Sequence, residues 1–325
     1  MSGFLVTGAT TPIGRQLVAD LLQLRPERSV IAVGVEPRPR AFGELDGSRF
    51  HYHQVDLTHG RAAHDLMFGP VRDHGVDVVI HTALHRKIHD RDQRIHALNV
   101  GTTRELLSLS ERQPNIRRFV FRSHAGVYRI DPTRTTLLCE DDLLELSPSA
   151  PPVVRQRVEA DLTVCARMGM SRLGIVVLRC SEILTADVGS QLHDYLSSRV
   201  CFRPLGFDPM LNLLSLEDAA RAVVLAAESN TSGIFNIDGA DTLPLSRAIQ
   251  LSGRHEVPLP GPLLAPLYRA RASMLRMEFS YDTNHRVFHF SSVLDARRAH
   301  EALGYQPRHP IRWPRSGMQL AEPCP

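Results

Sequence analysis

The sequence predicts an α/β fold: a doubly wound, mostly parallel sheet with helices on both faces, followed by a smaller C-terminal α/β lobe for a substrate. Two observations predict it. Strand-length apolar runs alternate with stretches of helical period from Gly3 to Cys180. The first of those runs passes directly into a glycine turn and a helix.

That first unit reads Gly3-Phe4-Leu5-Val6-Thr7-Gly8-Ala9-Thr10-Thr11-Pro12-Ile13-Gly14. Phe4–Val6 is a short strand. Gly8 lets the backbone turn and approach a ligand without a Cβ clash. Gly14 lets the helix pack close to the strand, and Pro12 suits a first helical turn because its missing N–H has no partner to lose there. Free amides at the helix start, with the helix dipole behind them, favour a phosphate. Thr11 stands where the middle glycine of a dinucleotide fingerprint falls, and its Cβ narrows the gap for a pyrophosphate.

Further strands are expected at Val30–Val33, Phe50–Val55, Val76–His81, Arg117–Arg122 and Gly174–Arg179, with helices over 12–25, 61–73, 92–112 and 153–169. Right-handed crossovers turn such βαβ units into a doubly wound sheet. After Cys180 prolines and glycines become frequent. Short elements follow: Leu211–Leu214, a helix from Glu217 to Glu228, a strand at Ile234–Ile237 and a helix near Ser292–Leu303. Ser215-Leu216-Glu217-Asp218 reads as a capping box for the first of those helices. The expected division is a dinucleotide-binding domain over 1–180, a smaller lobe over 181–312, with interleaving of the two left open, and a tail over 313–325.

With 325 residues, 43% hydrophobic and 22% charged, the chain has the composition of a soluble globular protein with a large core. Net charge is +3, from 38 basic and 35 acidic residues, and no basic–aromatic run points to nucleic acid. No apolar run has membrane-spanning length, and no leader pattern opens the chain, so the expected location is the cytoplasm. Cys139, Cys165, Cys180, Cys201 and Cys324 are odd in number and widely spaced, without a CxxC, which fits a reducing compartment rather than a disulfide or zinc framework.

The second strand ends Gly34-Val35-Glu36-Pro37-Arg38. An acid here would hold an adenosine ribose and favour NAD, the role open to Glu36. Arg38 or Arg40 would instead meet a 2′-phosphate and favour NADP. NAD is the reading taken. His81, His85 and His89 step by four and His96 follows, the spacing of a metal face on a helix. The segment reads instead as the loop after the fourth strand, and Arg86, Lys87, Arg91 and Arg94 would repel a cation, so a basic cleft rim is expected and no metal.

Several short motifs occur in a fixed order. They are Thr7-Gly8-Ala9-Thr10…Ile13-Gly14, Val55-Asp56-Leu57, Val79-Ile80-His81-Thr82-Ala83, Asn99-Val100-Gly101-Thr102, Arg118–Ser123 with Val127-Tyr128, Leu178-Arg179, Glu217-Asp218-Ala219-Ala220, Gly233–Ile237 and Leu303-Gly304-Tyr305-Gln306-Pro307. As an ordered set they resemble the extended short-chain dehydrogenase/reductases, in the NAD-dependent epimerase/dehydratase family that includes nucleotide-sugar 4-epimerases. The resemblance implies a Rossmann-type domain. It also implies a cofactor held by Gly8, Thr10, Thr11, Pro12, Ile13, Gly14, Glu36 or Arg38, Asp56, Leu57, Thr82, Ala83, Leu84, Asn99 and Arg157. It further implies a small-molecule substrate such as a nucleotide sugar, and a homodimer through the helices at 92–112 and 153–169.

The resemblance also implies a Ser/Thr–Tyr–Lys arrangement, which this chain lacks. Glu159-Ala160-Asp161 sets the register of the Tyr-x-x-x-Lys helix and puts Val153 at the tyrosine and Arg157 at the lysine. No tyrosine lies between Tyr128 and Tyr195, and no lysine follows Lys87. The serine position falls at His124, next to Ser123. Valine has no proton to give, and arginine stays charged at any working pH. A non-standard acid/base is then sought among His124, Tyr128 and Ser123, His124 having the natural pKa for proton transfer. The alternative is a cofactor-binding, regulatory or assembly protein without hydride chemistry. On the helix at 153–169, Val154, Val158, Leu162 and Cys165 form the expected inner face.

Overall fold

The computed structural model describes residues 2–43, 45, 47–85, 92–131, 133, 137–275 and 277–314. Seven parallel strands form the central sheet: β1 (Gly3–Thr7), β2 (Ser29–Gly34), β3 (Phe50–Gln54), β4 (Val76–His81), β5 (Arg118–His124), β6 (Gly174–Cys180) and β7 (Gly233–Ile237). Their order is β7-β6-β5-β4-β1-β2-β3. The order reverses between β1 and β4, and the crevice beyond the carboxyl ends of the strands at such a reversal is where ligands of doubly wound sheets bind.

Alternation along each strand sends side chains to two cores. From β1, Phe4 and Val6 pack with α1 (Pro12–Leu24) and the later helix Leu216–Glu228 on one face. Leu5 faces the other way, into a core shared with α2 (Thr102–Arg112) and α3 (Pro152–Cys165). The Leu216–Glu228 helix is named α4 below.

The expected helix over 92–112 is one continuous rod with a π-type stretch at Ala97–Gly101 between Asp92–His96 and α2. The expected helix over 61–73 is broken at Gly69-Pro70 into Gly60–Phe68 and Pro70–Asp73. On α3 the inner face differs from the expected one. Val153, Val158, Ala160, Asp161 and Val164 are buried, whereas Leu162 is 40% exposed. The buried polar Asp161 rotates the helix away from the purely apolar stripe.

After β6 the chain leaves the main sheet, makes the first part of the lobe, returns as β7 to pair with β6, and then completes the lobe. The lobe holds a three-stranded sheet (Glu182–Ile183, Met210–Leu214, Asp241–Pro244), paired strands Val200–Pro204 and His255–Leu259, and helices Gly261–Leu275 and Tyr281–His289. Tyr195, Tyr268, Phe279, Tyr281 and Phe288 form its core. Ser215 caps α4 by accepting the Asp218 N–H at 3.1 Å. Asp218 does not complete the expected box. Its buried carboxylate takes the N–H groups of Arg308 and His309 and the His309 ring, and so ties the C-terminal segment to α4.

β4 ends on His81, which is completely buried. One ring nitrogen meets the Thr7 hydroxyl at 2.8 Å and the other the Thr103 hydroxyl at 2.9 Å, joining β1, β4 and α2 beneath the crevice. Burial, helped by the charge of Arg122, pushes the His81 pKa down to about 3, so the ring is neutral. Its place in the sheet separates it from the other histidines of the four-step pattern. His96 pairs with Glu159, and His89, Arg86, Lys87 and Arg91 lie outside the described residues.

These packing constraints can be tested at Gly14 and His81. A Cβ on Gly14 would lie 2.2 Å from the Gly8 carbonyl oxygen, so Gly14→Ala should force α1 off the turn and lower stability by about 1–3 kcal/mol, read as a lower urea midpoint. His81 is neutral when folded but gains a proton below its ordinary pKa when unfolded. Its contribution is therefore present above about pH 6.5 and declines as the pH falls. Stability should drop by about 2 kcal/mol between pH 6.5 and pH 5 on account of His81 alone, and urea titrations at the two pH values check this.

Candidate active site and its two cavities

The glycine turn is built as its residues dictate. Gly8 has φ +68°, and a Cβ there would come within 2.9 Å of the Ala83 Cα. Thr11 is the N-cap of α1: its hydroxyl oxygen accepts the Gly14 N–H at 3.1 Å while its O–H donates to the Gly8 carbonyl at 2.7 Å. The Thr11 N–H goes to the same carbonyl. Pro12 has no N–H, so of the amides from Thr11 to Gly14 only that of Ile13 takes no acceptor among the described residues. A threonine at the middle glycine position thus commits to its own cap a donor that a phosphate would otherwise receive.

The other expected cofactor residues surround the crevice. The Thr10 hydroxyl donates to the Glu36 carboxylate at 2.5 Å, and the Tyr52 hydroxyl donates to the Glu36 carbonyl. The Arg38 guanidinium donates to the Phe42 carbonyl at 2.7 Å and lies over the Phe50 ring. Asp56 accepts the Thr58 amide and hydroxyl in a tight turn, and Leu57 beside it is buried. Thr82 donates to the Thr7 carbonyl at 2.7 Å, fixing the segment Thr82-Ala83-Leu84 over β1. Asn99, buried in the π-type stretch, accepts the His85 N–H at 2.8 Å and so holds that loop.

At the end of β5 the three candidate acid/base residues diverge. Ser123 is buried and donates to Asp161 at 2.5 Å. The Tyr128 hydroxyl donates to Asn236 at 2.6 Å and accepts from Arg179 at 3.1 Å, and burial raises its pKa despite the Arg179 charge. Both hydroxyls are therefore engaged in buried hydrogen bonds, and the Tyr128 ring also lines the larger cavity described below. His124 does line the site, with both ring nitrogens in use: Nδ1 accepts the Gly126 N–H at 2.7 Å, and Nε2, which therefore carries the proton, faces Glu182 at 3.1 Å. Burial, then the Arg157 charge, lower the His124 pKa against the pull of Glu182. Burial pushes the Glu182 carboxyl up, but the His124 bond, the Ser190 hydroxyl and the Arg157 charge outweigh it and hold it at about 2. Val153 is buried on α3, and Arg157 one turn later reaches the cleft.

Two cavities meet here. The larger, about 350 Å³, is walled by the loop after β5, α3 and the lobe, with Tyr128, Leu211, Phe288 and Leu294 as apolar lining and Asn212 and Asn284 as polar lining. Arg286 and Glu145 pair across its rim at 3.1 Å. The smaller, about 30 Å³, lies under Leu84, His85 and Asn99 and is lined by Arg122, His124, Arg157 and Glu182. His124, Arg157, Glu182 and Gly189 belong to both.

Sequence reasoning misses Glu182, Arg122, Asp161 and Asn236 as site residues. The signal for Asp161 and Arg179 lies in the Glu159-Ala160-Asp161 and Leu178-Arg179 motifs, charged groups in otherwise apolar elements. Arg122 and Asn236 sit in the Arg118–Ser123 and Gly233–Ile237 motifs in the same way, whereas Glu182 carries no such signal.

No helix among the described residues is long and apolar enough to cross a membrane. Uncharacterized proteins of Mycobacterium tuberculosis and Mycobacterium bovis are each 28% identical over 314 residues, covering 94% of this chain and 80% of theirs. Among solved structures, Pal from Bacillus thuringiensis aligns with TM-score 0.73 at 17% identity, over 96% of this chain and 95% of that one. UDP-glucuronic acid 4-epimerase from Bacillus cereus, in complex with UDP-glucuronic acid and NAD, aligns with TM-score 0.70 at 18% identity, over 95% of each chain. The dTDP-glucose 4,6-dehydratase of Bacillus anthracis, in complex with NAD, gives 0.69 at 16%, over 95% and 92%. At these identities the structures speak for a shared fold. The sequence profile of the family matches residues 4–184, more than half of the chain, over the strands and turns that build the crevice. With its reversal of strand order at β1 and its glycine turn in place, the chain belongs to the NAD dependent epimerase/dehydratase family.

Proposed function

We propose that this protein binds NAD along the crevice of β1, β2 and β4 and a nucleotide-sugar-class ligand in the larger cavity, as a binding member of its family that lacks the usual acid/base pair. Family membership and the NAD and UDP-glucuronic acid in related structures support the ligand classes. The cavity has the size of a small-molecule site. Ile13 and the start of α1 would hold the pyrophosphate, Glu36 the adenosine ribose, Asp56 and Leu57 the adenine, and Thr82–Leu84 the underside of the dinucleotide. Arg38, turned toward Phe42, favours NAD over NADP. When bound, NAD supplies a hydride acceptor.

The observation that carries the absence of turnover is the state of the groups at the cavity junction. Val153 has no proton, Arg157 keeps its charge, and the Ser123 and Tyr128 hydroxyls are both committed. A second reading rests on His124, which borders both cavities and is held by an ionised Glu182. To accept a proton at Nδ1 it would have to release the Gly126 amide.

A homodimer through α2 and α3 belongs to the same proposal, supported by the exposed Leu162 on α3. Sedimentation equilibrium is expected to give twice the chain mass for the parent and a weakened dimer for Leu162→Glu.

Calorimetric titration of cofactor-stripped protein tests the cofactor reading. NAD is expected to bind saturably and NADP more weakly, and Thr11→Gly, which frees the Gly14 amide, should tighten NAD by about tenfold. No binding of either cofactor would end the reading. For the protein loaded with NAD, no nicotinamide reduction is expected with a panel of nucleotide sugars. A substrate-dependent reduction that disappears in His124→Ala would establish the second reading instead.

A further inference from the structure

The lobe helix Gly261–Leu275 is held to its core along a narrow line. Leu264 and Tyr268, one turn apart, are the buried side chains of this helix among the described residues. A second apolar stripe runs beside that line. Leu263, Leu267, Ala270 and Met274 recur at steps of four, three and four, which puts them on one side of the helix, about 110° round the axis from the buried pair. Leu263 is 54% exposed and Met274 82%, Ala270 is exposed between them, and Leu275 at the helix end is 63% exposed. The stripe is about 17 Å long at the rise of an α-helix. Single apolar residues scattered over a surface are ordinary, but a stripe along one side of a helix is a contact surface.

Charge borders the stripe on one side. The helix carries two arginines and no acid. Arg269 pairs with Asp282 at 2.7 Å. Arg271 falls between the buried line and the exposed stripe by the same helical count, and donates to the Val200 carbonyl at 3.0 Å. Two further arginines stand at that strand end. Arg199 and Arg254 directly precede the paired strands Val200–Pro204 and His255–Leu259, and the His255 N–H donates to the Arg199 carbonyl. Arg254 donates to the Leu196 carbonyl at 2.8 Å. None of Arg199, Arg254 and Arg271 makes an ion pair among the described residues. Of the acids on the adjoining segments, Glu256 is taken by Arg203 and Asp282 by Arg269, which leaves Glu278 against three guanidinium groups.

We propose that this face of the lobe seats the protein on an anionic membrane surface, with the stripe from Leu263 to Met274 in the headgroup boundary and Arg199, Arg254 and Arg271 on lipid phosphates. The combination selects the partner. A bilayer of acidic lipids presents uniform negative charge directly above an apolar layer, and a surface helix bordered by cations matches both at once while lying flat. None of these residues lines either cavity, so the membrane contact stands whether or not NAD or a nucleotide sugar binds.

The test is co-sedimentation of the full chain with vesicles, either of phosphatidylcholine alone or of phosphatidylcholine mixed equally with phosphatidylglycerol. Partition onto the anionic vesicles should exceed that onto the neutral ones by about tenfold or more, and should fall as salt is raised. The double variant Leu263→Glu with Met274→Glu alters exposed positions only. It should keep the parent's unfolding midpoint and NAD titration while its partition drops by about tenfold or more. Arg199→Glu should weaken binding to the anionic vesicles alone. The membrane contact is overturned if the parent sediments no more with anionic than with neutral vesicles, or if the folded double variant binds them as the parent does. A parent that ignores vesicles but loses mass in sedimentation equilibrium on making the double variant would also overturn it, and would give the face to a second copy of the chain.

Discussion

Asp161 and Arg179 form the interaction on which the site depends. Their side chains are 0% and 3% exposed and meet in a two-pronged bond at 2.7 and 3.1 Å. The carboxylate also accepts from Ser123 and from the Cys165 thiol, and the guanidinium also reaches the Tyr128 hydroxyl and the Glu140 carbonyl. Tyr128 hands the chain of bonds to Asn236 on β7. One pair thereby fixes α3 against β5, β6 and β7, and with α3 it fixes where Arg157 enters the cleft. Losing one member of such a pair costs about 3–5 kcal/mol because the other charge is stranded. Here four of the five guanidinium N–H groups and both carboxylate oxygens have partners, which favours tolerance of the buried ion pair.

This network engages the hydroxyls of the tyrosine and serine nearest the site. Both suit proton transfer by type and position, but a hydroxyl that completes the coordination of a buried ion pair is held in one orientation and one protonation state. His124 is restrained in another way, by a backbone amide on one side and a carboxylate on the other. The junction of the cavities is thus furnished with positive charge and fixed dipoles.

Much of the main sheet is legible in the sequence because its strands are apolar runs bounded by turns, and Val76–His81 has the expected bounds. The glycine turn is legible because Gly8 and Gly14 answer to steric demands that few residues meet. The lobe is less so. Pro266 lies inside the Gly261–Leu275 helix, where a proline-rich sequence suggests irregular chain, and the pair Val200–Pro204 and His255–Leu259 is made by residues far apart in sequence. The site divides along similar lines. Local motifs point to Thr11, Asn99 and Arg157. The partners of Ser123 and Tyr128 come from α3, β6 and β7, and sequence order carries no sign of that meeting. The inner face of α3 departs from its apolar stripe because a buried carboxylate decides the rotation.

The return of the chain from the lobe to β7 bears on how the molecule is made. A nascent chain that has emerged only as far as β6 lacks the strand that pairs with its edge, which arrives after the whole sequence of the Met210–Leu214 strand and α4. Until Ile237 is available, Tyr128 has no Asn236 to donate to and β6 offers unpaired backbone to any neighbouring chain. Closure of the sheet and the Tyr128–Asn236 bond therefore await β7, and the Asn236 amide finds its last partner, the Asp295 carbonyl, only later still. Until β7 is made, the open edge of β6 is a strand that another chain can pair with.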